Sequence, residues 1–259
     1  MTDYPHCRDA WGYANDVRDG TIPSCKYIKL AVERFFADMD REDLTFNYDE
    51  VEKFCNFCGH LPHVKGKWAQ QQKRFDLEPW QKFKFANLFG FYRVLTGKRK
   101  YQECLNIIPR KNGKSIDAAA VGLYMLTSDN EFGSEVYCGA TSEKQANEVF
   151  TPAKRMLKSN PELMNFLDLS IQTQSIFRES DGAFFQRVIG DPPDGTSPHC
   201  GIVDEYHEHK KDAVYKTFQT GMGARENPLL YVITTAGDNI SGPCHEKVQE
   251  CIQILEGVL

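Results

Sequence analysis

No apolar run in these 259 residues approaches the roughly 20 needed to span a bilayer. Met1–Arg18 is polar and holds Pro, Asp and Arg where a secretory signal would be apolar. Positive charge is also missing in bulk. The formal net charge is −5, so a nucleic-acid partner would have to be met by a local basic patch and not by the whole surface. The nine cysteines are scattered, without the spacing that staples small secreted domains. These absences point to a soluble protein of a reducing cytoplasm. What is present is ample apolar material, 41 % of residues, enough for one large α/β domain or a domain with an appendage.

One further absence is local. Leu105–Ser115 reads Leu-Asn-Ile-Ile-Pro-Arg-Lys-Asn-Gly-Lys-Ser and leads into the Ala- and Leu-rich Ile116–Leu126. That order predicts strand, loop, helix. Gly113, Lys114 and Ser115 fall where the helix begins, and the positive end of a helix favours an anion there. Lys114 can reach the outer phosphates of a nucleotide, and the Ser115 hydroxyl can hold Mg²⁺. The glycine expected five positions before Gly113 is missing; Ile108 stands there, and Pro109, Arg110, Lys111 and Asn112 fill the loop. Gly-Lys-Ser alone equally describes a turn with a surface lysine, so context decides.

Along the chain, Met1–Ser24 reads as an irregular arm. Lys26–Met39 has helical spacing at Ile28, Val32, Phe35 and Phe36, and Asn47 or Asp49 can cap a helix through Phe57. Cys55, Cys58, His60 and His63 have the chemistry of a zinc site, but four ligands from nine consecutive residues is not the usual spacing, and buried thiols are the simpler reading. Val64–Arg74 reads as a basic connector. Leu77-Glu-Pro-Trp80-Gln81 opens a helix carrying Phe83, Phe85, Phe89, Phe91 and Tyr92. Trp80 can stack on a base and Gln81 can bond adenine. Lys98, Arg99 and Lys100 read as a solvated run.

Strand, turn and helix recur at Glu135–Gly139 and Glu143–Leu157, with Ser142 and Gln145 resembling a capping box. The alternation predicts a parallel sheet with crossover helices. Leu169–Phe177 and Ala183–Ile189 read as strands, and Asp191–Ser197 as a loop. The apolar strand before Asp204 and Glu205 ends in paired carboxylates, Asp204 suited to supporting Mg²⁺ beside Ser115 and Glu205 to polarising a water. His207 and His209 read as exposed loop. Asp212–Thr220 reads as a helix with a left-handed cap near Gly221–Gly223, Pro228–Thr235 as a strand that places Thr234 and Thr235 near a γ-phosphate, and His245–Leu259 as a helix cut by the chain end.

Together, Leu77–Gln81, Ile108–Ser115, Tyr137–Thr141 with Gln145-Ala146, Val203–Glu205 and Ile233–Gly237 resemble the large terminase subunit of tailed bacteriophages. The Pro-Arg-Lys-Asn-Gly-Lys-Ser loop is characteristic of that family and accounts for the missing glycine. The resemblance implies an α/β, RecA-like additional-strand P-loop ATPase with a mostly parallel sheet and a helical N-terminal extension. It implies ATP and Mg²⁺ held by residues 109–115, by Trp80 and Gln81 at the adenine, and by Asp204, Thr234 and Thr235, with Lys114 and Glu205 catalytic. It implies a ring at the portal vertex of a procapsid in the host bacterial cytoplasm, with double-stranded DNA, portal protein and small terminase subunit as partners, and no membrane. Arg225 is the candidate finger donated to a neighbour, Arg187 and Arg178 are rivals, and Arg110 can serve in cis. The expected organisation is a helical arm over 1–76, an ATPase core over 77–240 and a final helix over 241–259 leading to a linker, with the family's nuclease domain outside this chain. A helicase-like translocase, or a docking module with a decayed site, is the alternative.

Overall fold

The computed structural model describes residues 3–190, 192 and 195–259. In chain order the elements are α1 (Pro5–Arg18), α2 (Lys26–Met39), β1 (Leu44–Phe46), α3 (Tyr48–His60), α4 (Gly66–Gln70), α5 (Pro79–Gly90) and β2 (Phe91–Arg93). There follow β3 (Glu103–Ile107), α6 (Lys114–Thr127), β4 (Glu135–Ala140), α7 (Glu143–Lys158), α8 (Pro161–Phe166), β5 (Leu169–Ile171), β6 (Ser175–Arg178) and β7 (Phe184–Ile189). The last are β8 (Cys200–Asp204), α9 (Ala213–Gly221), β9 (Leu229–Thr234) and α10 (Pro243–Leu255). The chain packs as two compact units, one of Met1–Gly59, Phe75–Gln102 and Lys247–Leu259, the other of His60–Arg74 and Glu103–Glu246. This division is not sequential, unlike the boundaries read from the sequence.

The first unit is held by aromatic rings. Trp11 meets Phe35 and Phe46 edge-on, Phe35 meets Phe83 and Phe91, and Phe54 packs on Phe85 and Phe89. The expected irregular arm is in fact α1: Pro5 starts it, and Cys7, Ala10, Ala14 and Val17 bury one helical face, with Gly12 left on the exposed side. Asn47 accepts from Glu50 N–H at 3.2 Å and so caps α3. The aromatic helix α5 ends at Gly90, earlier than its ring pattern suggested, because Phe91–Arg93 pairs antiparallel with Leu44–Phe46. The run Lys98–Lys100 is not a solvated face either. Arg99 is buried, and Lys100 forms an ion pair with buried Asp38, which also accepts from the Tyr101 hydroxyl.

Among its described residues the second unit carries a seven-stranded sheet in the order β3-β9-β8-β4-β7-β6-β5. The first five of these strands run parallel, and β5 and β6 form an antiparallel extension. The single strand expected over Leu169–Phe177 is a hairpin, since Ile171 pairs back on Ile176. The strand β9 lies between β3 and β8, as an additional-strand fold requires. Helix α6 is buried almost throughout, and β8 and β9 are buried at every position, the pattern of a sheet covered on both faces.

Smaller expectations also shift. The connector Val64–Arg74 contains α4 and a bridge from Pro62 to Arg74. Gly221 has φ −69°, so no left-handed cap ends α9. The last helix stops at Leu255, before the chain end, and Gly257 turns left-handed beyond it. Of the loop Asp191–Ser197, residues 191, 193 and 194 lie outside the described residues.

Gly122 shows packing overriding helix propensity. A Cβ there would lie 2.7 Å from the buried Phe185 ring and 3.1 Å from Ile202. Alanine favours a helix by about 1 kcal/mol over glycine, but overpacking a rigid core costs about 1–3 kcal/mol. Gly122→Ala is therefore expected to lower the denaturant midpoint; a raised midpoint would mean that this layer yields.

Candidate active site

The site lies at the carboxyl ends of the parallel strands β3, β8 and β9. Ile108, where a glycine was missing, is still tied to the sheet: its N–H donates to Thr234 O at 3.0 Å, so the loop turns only after it. The turn is made by left-handed residues at Lys111 (φ +70°) and Gly113 (φ +82°). Nothing crowds a Cβ at Gly113, so its requirement is the dihedral and not space. Such curled backbone turns N–H groups toward an anion. The Asn112 amide holds the curl by donating to Pro109 O and Arg110 O, both at 3.3 Å. Pro109, Arg110, Lys111 and Asn112 are exposed, Ser115 is half-buried, and Lys114 is buried.

Lys114 Nζ stands 2.5 Å from Glu205 Oε1, so the structure brings together the lysine that sequence places at a helix start and the acid it places at a strand end. Asp204 ends β8 and is 1 % exposed. Glu205 follows in a left-handed conformation, φ +46°, costing about 1–2 kcal/mol for a residue with a Cβ. The conformation is held by Glu205 N–H donating to Asp204 Oδ1 at 2.8 Å and by His209 Nε2 at 3.0 Å from Asp204 O. Strain of this kind gathers at functional sites. Burial, and then the Glu205 charge, push the Asp204 carboxyl up to about 7, while Lys114 pulls the other way. Asp204 Oδ2 is buried with no hydrogen-bond partner. A divalent cation would satisfy that oxygen and reverse the penalty on its charge, so the residues fit Mg²⁺.

His207 and His209 are not the exposed loop expected. His209 is buried, and burial lowers its affinity for a proton. His207 Nδ1 lies 2.9 Å from Thr234 Oγ1 and 3.4 Å from Glu205 Oε2, and His207 N–H donates to Thr234 Oγ1 at 3.1 Å. The Thr234 hydroxyl also lies 2.8 Å from Thr235 O, to which it can donate. Thr235 Oγ1 is 3.5 Å from His207 Nε2. His207 therefore joins the acid of β8 to the threonines of β9. The capping box at Ser142 is half made. Ser142 Oγ accepts from Gln145 N–H at 3.4 Å, while the Gln145 side chain accepts from the Thr141 and Ser142 hydroxyls and donates to Glu208. The histidines were missed because their charged neighbours hid a turn that folds inward; the two-residue interval between them was the available signal.

The other predicted residues have partners of their own. Arg225, the expected finger, is engaged within its own chain: it donates to Ser197 O at 2.8 Å and Gly133 O at 3.3 Å, and pairs with Glu131 at 3.0 Å and Glu135 at 3.3 Å. These partners precede β4 and β8 or begin β4, at the end of the sheet opposite the phosphate loop. Arg178 is similarly held, by Asp181 at 2.5 Å and Thr127 O at 3.0 Å. Arg187 pairs with Glu143 and donates to Asn147. In the first unit, Trp80 and Gln81 begin α5, and Gln81 Oε1 accepts from Glu78 N–H at 2.8 Å, closing a capping box. Cys55 and Cys58 are buried on α3. Among the described residues no group of three or more His, Cys, Asp or Glu is placed to share a metal ion, and no helix is long and apolar enough to cross a membrane.

A curled loop feeding a helix from one strand, paired acids leaving another, and β9 between them form the candidate site of this α/β fold, whose mostly parallel sheet is flanked by helices. Residues 79–252 match the family model of the terminase large subunit ATPase domain, and the chain belongs to that family. Over 137 residues it is 30 % identical to the terminase large subunit of Enterobacteria phage HK97, covering 51 % of this chain and 27 % of that one. Over 64 residues it is 62 % identical to Protein YmfN of Escherichia coli (strain K12), covering 25 % of this chain and 14 % of that one. The crystal structure of the HK97 bacteriophage large terminase has the same fold, with a TM-score of 0.66 at 23 % identity, over 79 % of this chain and 41 % of that one. The chain thus spans less than half the length of these relatives.

The Asp204 environment has a pH signature. A carboxyl with its folded value near 7 and its unfolded value near 3.8 binds more protons when folded, so stability falls as pH rises from about 4 to about 7 and is level above. The shift corresponds to roughly 2–4 kcal/mol. In metal-free buffer, Asp204→Asn is expected to flatten this part of the unfolding-midpoint profile; an unchanged slope would assign the proton to another group.

Proposed function

We propose that this chain is the ATP-hydrolysing motor domain of a packaging terminase, using Mg²⁺-ATP to drive double-stranded DNA into a procapsid. The observation that carries the reading is the 2.5 Å contact between Lys114 and Glu205 at the mouth of α6. The lysine holds the acid in an ion pair, and an arriving triphosphate competes for the same ammonium. As Lys114 turns to the phosphates, Glu205 is released to orient and polarise the attacking water. When bound, Mg²⁺ neutralises charge on the phosphate oxygens; the Ser115 hydroxyl would hold it, with Asp204 supporting it. Backbone N–H groups of residues 109–115 and the helix N-terminus take up the remaining negative charge.

His207 gives release of Glu205 a mechanical consequence, since its ring touches both the acid and the end of β9. Loss of the Glu205 contact alters what holds Thr234 and Thr235, and the family resemblance implies that Thr234–Gly237 couples hydrolysis to movement. Arg110, exposed in the loop, is the arginine best placed to act in cis. The resemblance alone carries the assignment of adenine to Trp80 and Gln81. In the same reading the full protein works as a ring, with portal and small subunit, at the procapsid vertex in the host cytoplasm.

Two variants separate binding from chemistry. Lys114→Ala is expected to abolish the heat of Mg²⁺-ATP binding in calorimetry. Glu205→Gln is expected to bind ATP while lowering turnover by about 10²–10⁴. Wild-type hydrolysis by both would show the site to be misassigned.

A further inference from the structure

We propose that the outer face of α7, with the β5–β6 turn and Arg187 of β7, is a seat for the phosphate backbone of duplex DNA. The choice of ligand rests on the motor reading above; the site itself rests on the following geometry. A cavity of about 240 Å³ is lined by Lys154, Arg155, Lys158 and Arg187, with Asn147 and Thr173 among them, and none of its described lining residues is a carboxylate. In a chain of net charge −5 this concentration of cations stands out. Asn147, Thr151, Lys154, Arg155 and Lys158 recur at helical spacing on one side of α7, while Ala146, Val149, Phe150, Ala153, Met156 and Leu157 bury the other.

The cations are positioned. Lys154 Nζ donates to Gln172 O at 3.0 Å and Thr173 O at 3.1 Å, which fixes it over the β5–β6 turn with one donor left. Its charge is disfavoured by burial and by Lys158 and Arg187, a repulsion that a bound anion relieves. Asn147 Oδ1 accepts from Arg187 at 2.7 Å, and the exposed Glu143 pairs with it at 3.0 Å from the rim. Arg155 and Lys158 are exposed.

Asn147 to Lys158 covers roughly 16 Å of helix, long enough to follow several backbone phosphates and not one ion. The aromatic ring in the cavity wall, Phe150, is buried beneath Lys154, so there is no platform for a base. Recognition is therefore electrostatic and indifferent to sequence. Within other basic stretches, Lys100 pairs with Asp38, Arg99 is buried, Lys65 stands 3.7 Å from Glu148, and Arg74 donates to His60 O.

The test is fluorescence anisotropy of a labelled mixed-sequence duplex with the full chain over a salt series. Arg155→Gln with Lys158→Gln removes two exposed charges, and melting should be unchanged. Lys210→Gln with Lys211→Gln removes the same charge elsewhere and serves as control. The α7 variant is expected to bind about tenfold or more weakly, with the slope of log affinity against log salt reduced by about 2, while the control binds like wild type. Equal affinity for wild type and the α7 variant overturns the proposal. So does full displacement of the duplex by inorganic phosphate at constant ionic strength, which would mark a seat for free phosphate. Failure of the wild-type chain to bind duplex at any salt would instead remove the motor reading on which the choice of ligand rests.

Discussion

The structure depends on one electrostatic contact, Lys114 with Glu205, made across the end of a strand that belongs to neither residue. The lysine is delivered by β3 and the start of α6, the acid by β8, and β9 lies between. Neither group is stable alone where it stands. A buried ammonium without an anion, or a half-buried acid beside a buried aspartate, costs several kcal/mol. Each is tolerable because the other is present, and in the proposed function both are given up to a nucleotide carrying charges of both kinds, phosphate and magnesium.

The two ends of the sheet are built on opposite principles. At the amino ends, charged side chains are paired: Arg178 meets Asp181, and Arg225 joins Glu131, Glu135 and two carbonyls. At the carboxyl ends, Lys111 and Glu205 are left-handed, Asp204 Oδ2 lacks a partner, and the Asp204 carboxyl is raised. The first arrangement stores stability and the second stores unmet need. Arg225, the candidate finger, stands at the first end, among partners of its own chain. Chain order does not show at which end of a sheet a loop emerges until the strand directions are known.

Much of the site was legible because its signals are local. The loop before α6, the paired acids and the buried β9 each follow from a few consecutive residues, and so did α2, α7 and the parallel sheet. What escaped depended on pairing. Phe91–Arg93 continued an aromatic helical pattern and became a strand because Leu44–Phe46 lies beside it. Lys100 looked solvated until Asp38, far away in sequence, was placed against it. His207 sat in a charged stretch that would ordinarily face water, yet Thr234 and Glu205 give its ring partners and draw it inward. The cationic cavity beside α7 was unreadable as a run because Lys154, Arg155 and Lys158 meet Arg187 of β7 only once the strand is packed against the helix.

The most direct measurement of the central claim is a crystal structure of the chain with Mg²⁺ and a non-hydrolysable ATP analogue. Lys114 Nζ should then have left Glu205 for the outer phosphates, with magnesium beside Ser115 and Asp204 and the Glu205 carboxylate turned toward the γ-phosphate. A nucleotide bound elsewhere, with the Lys114–Glu205 contact intact, would contradict it.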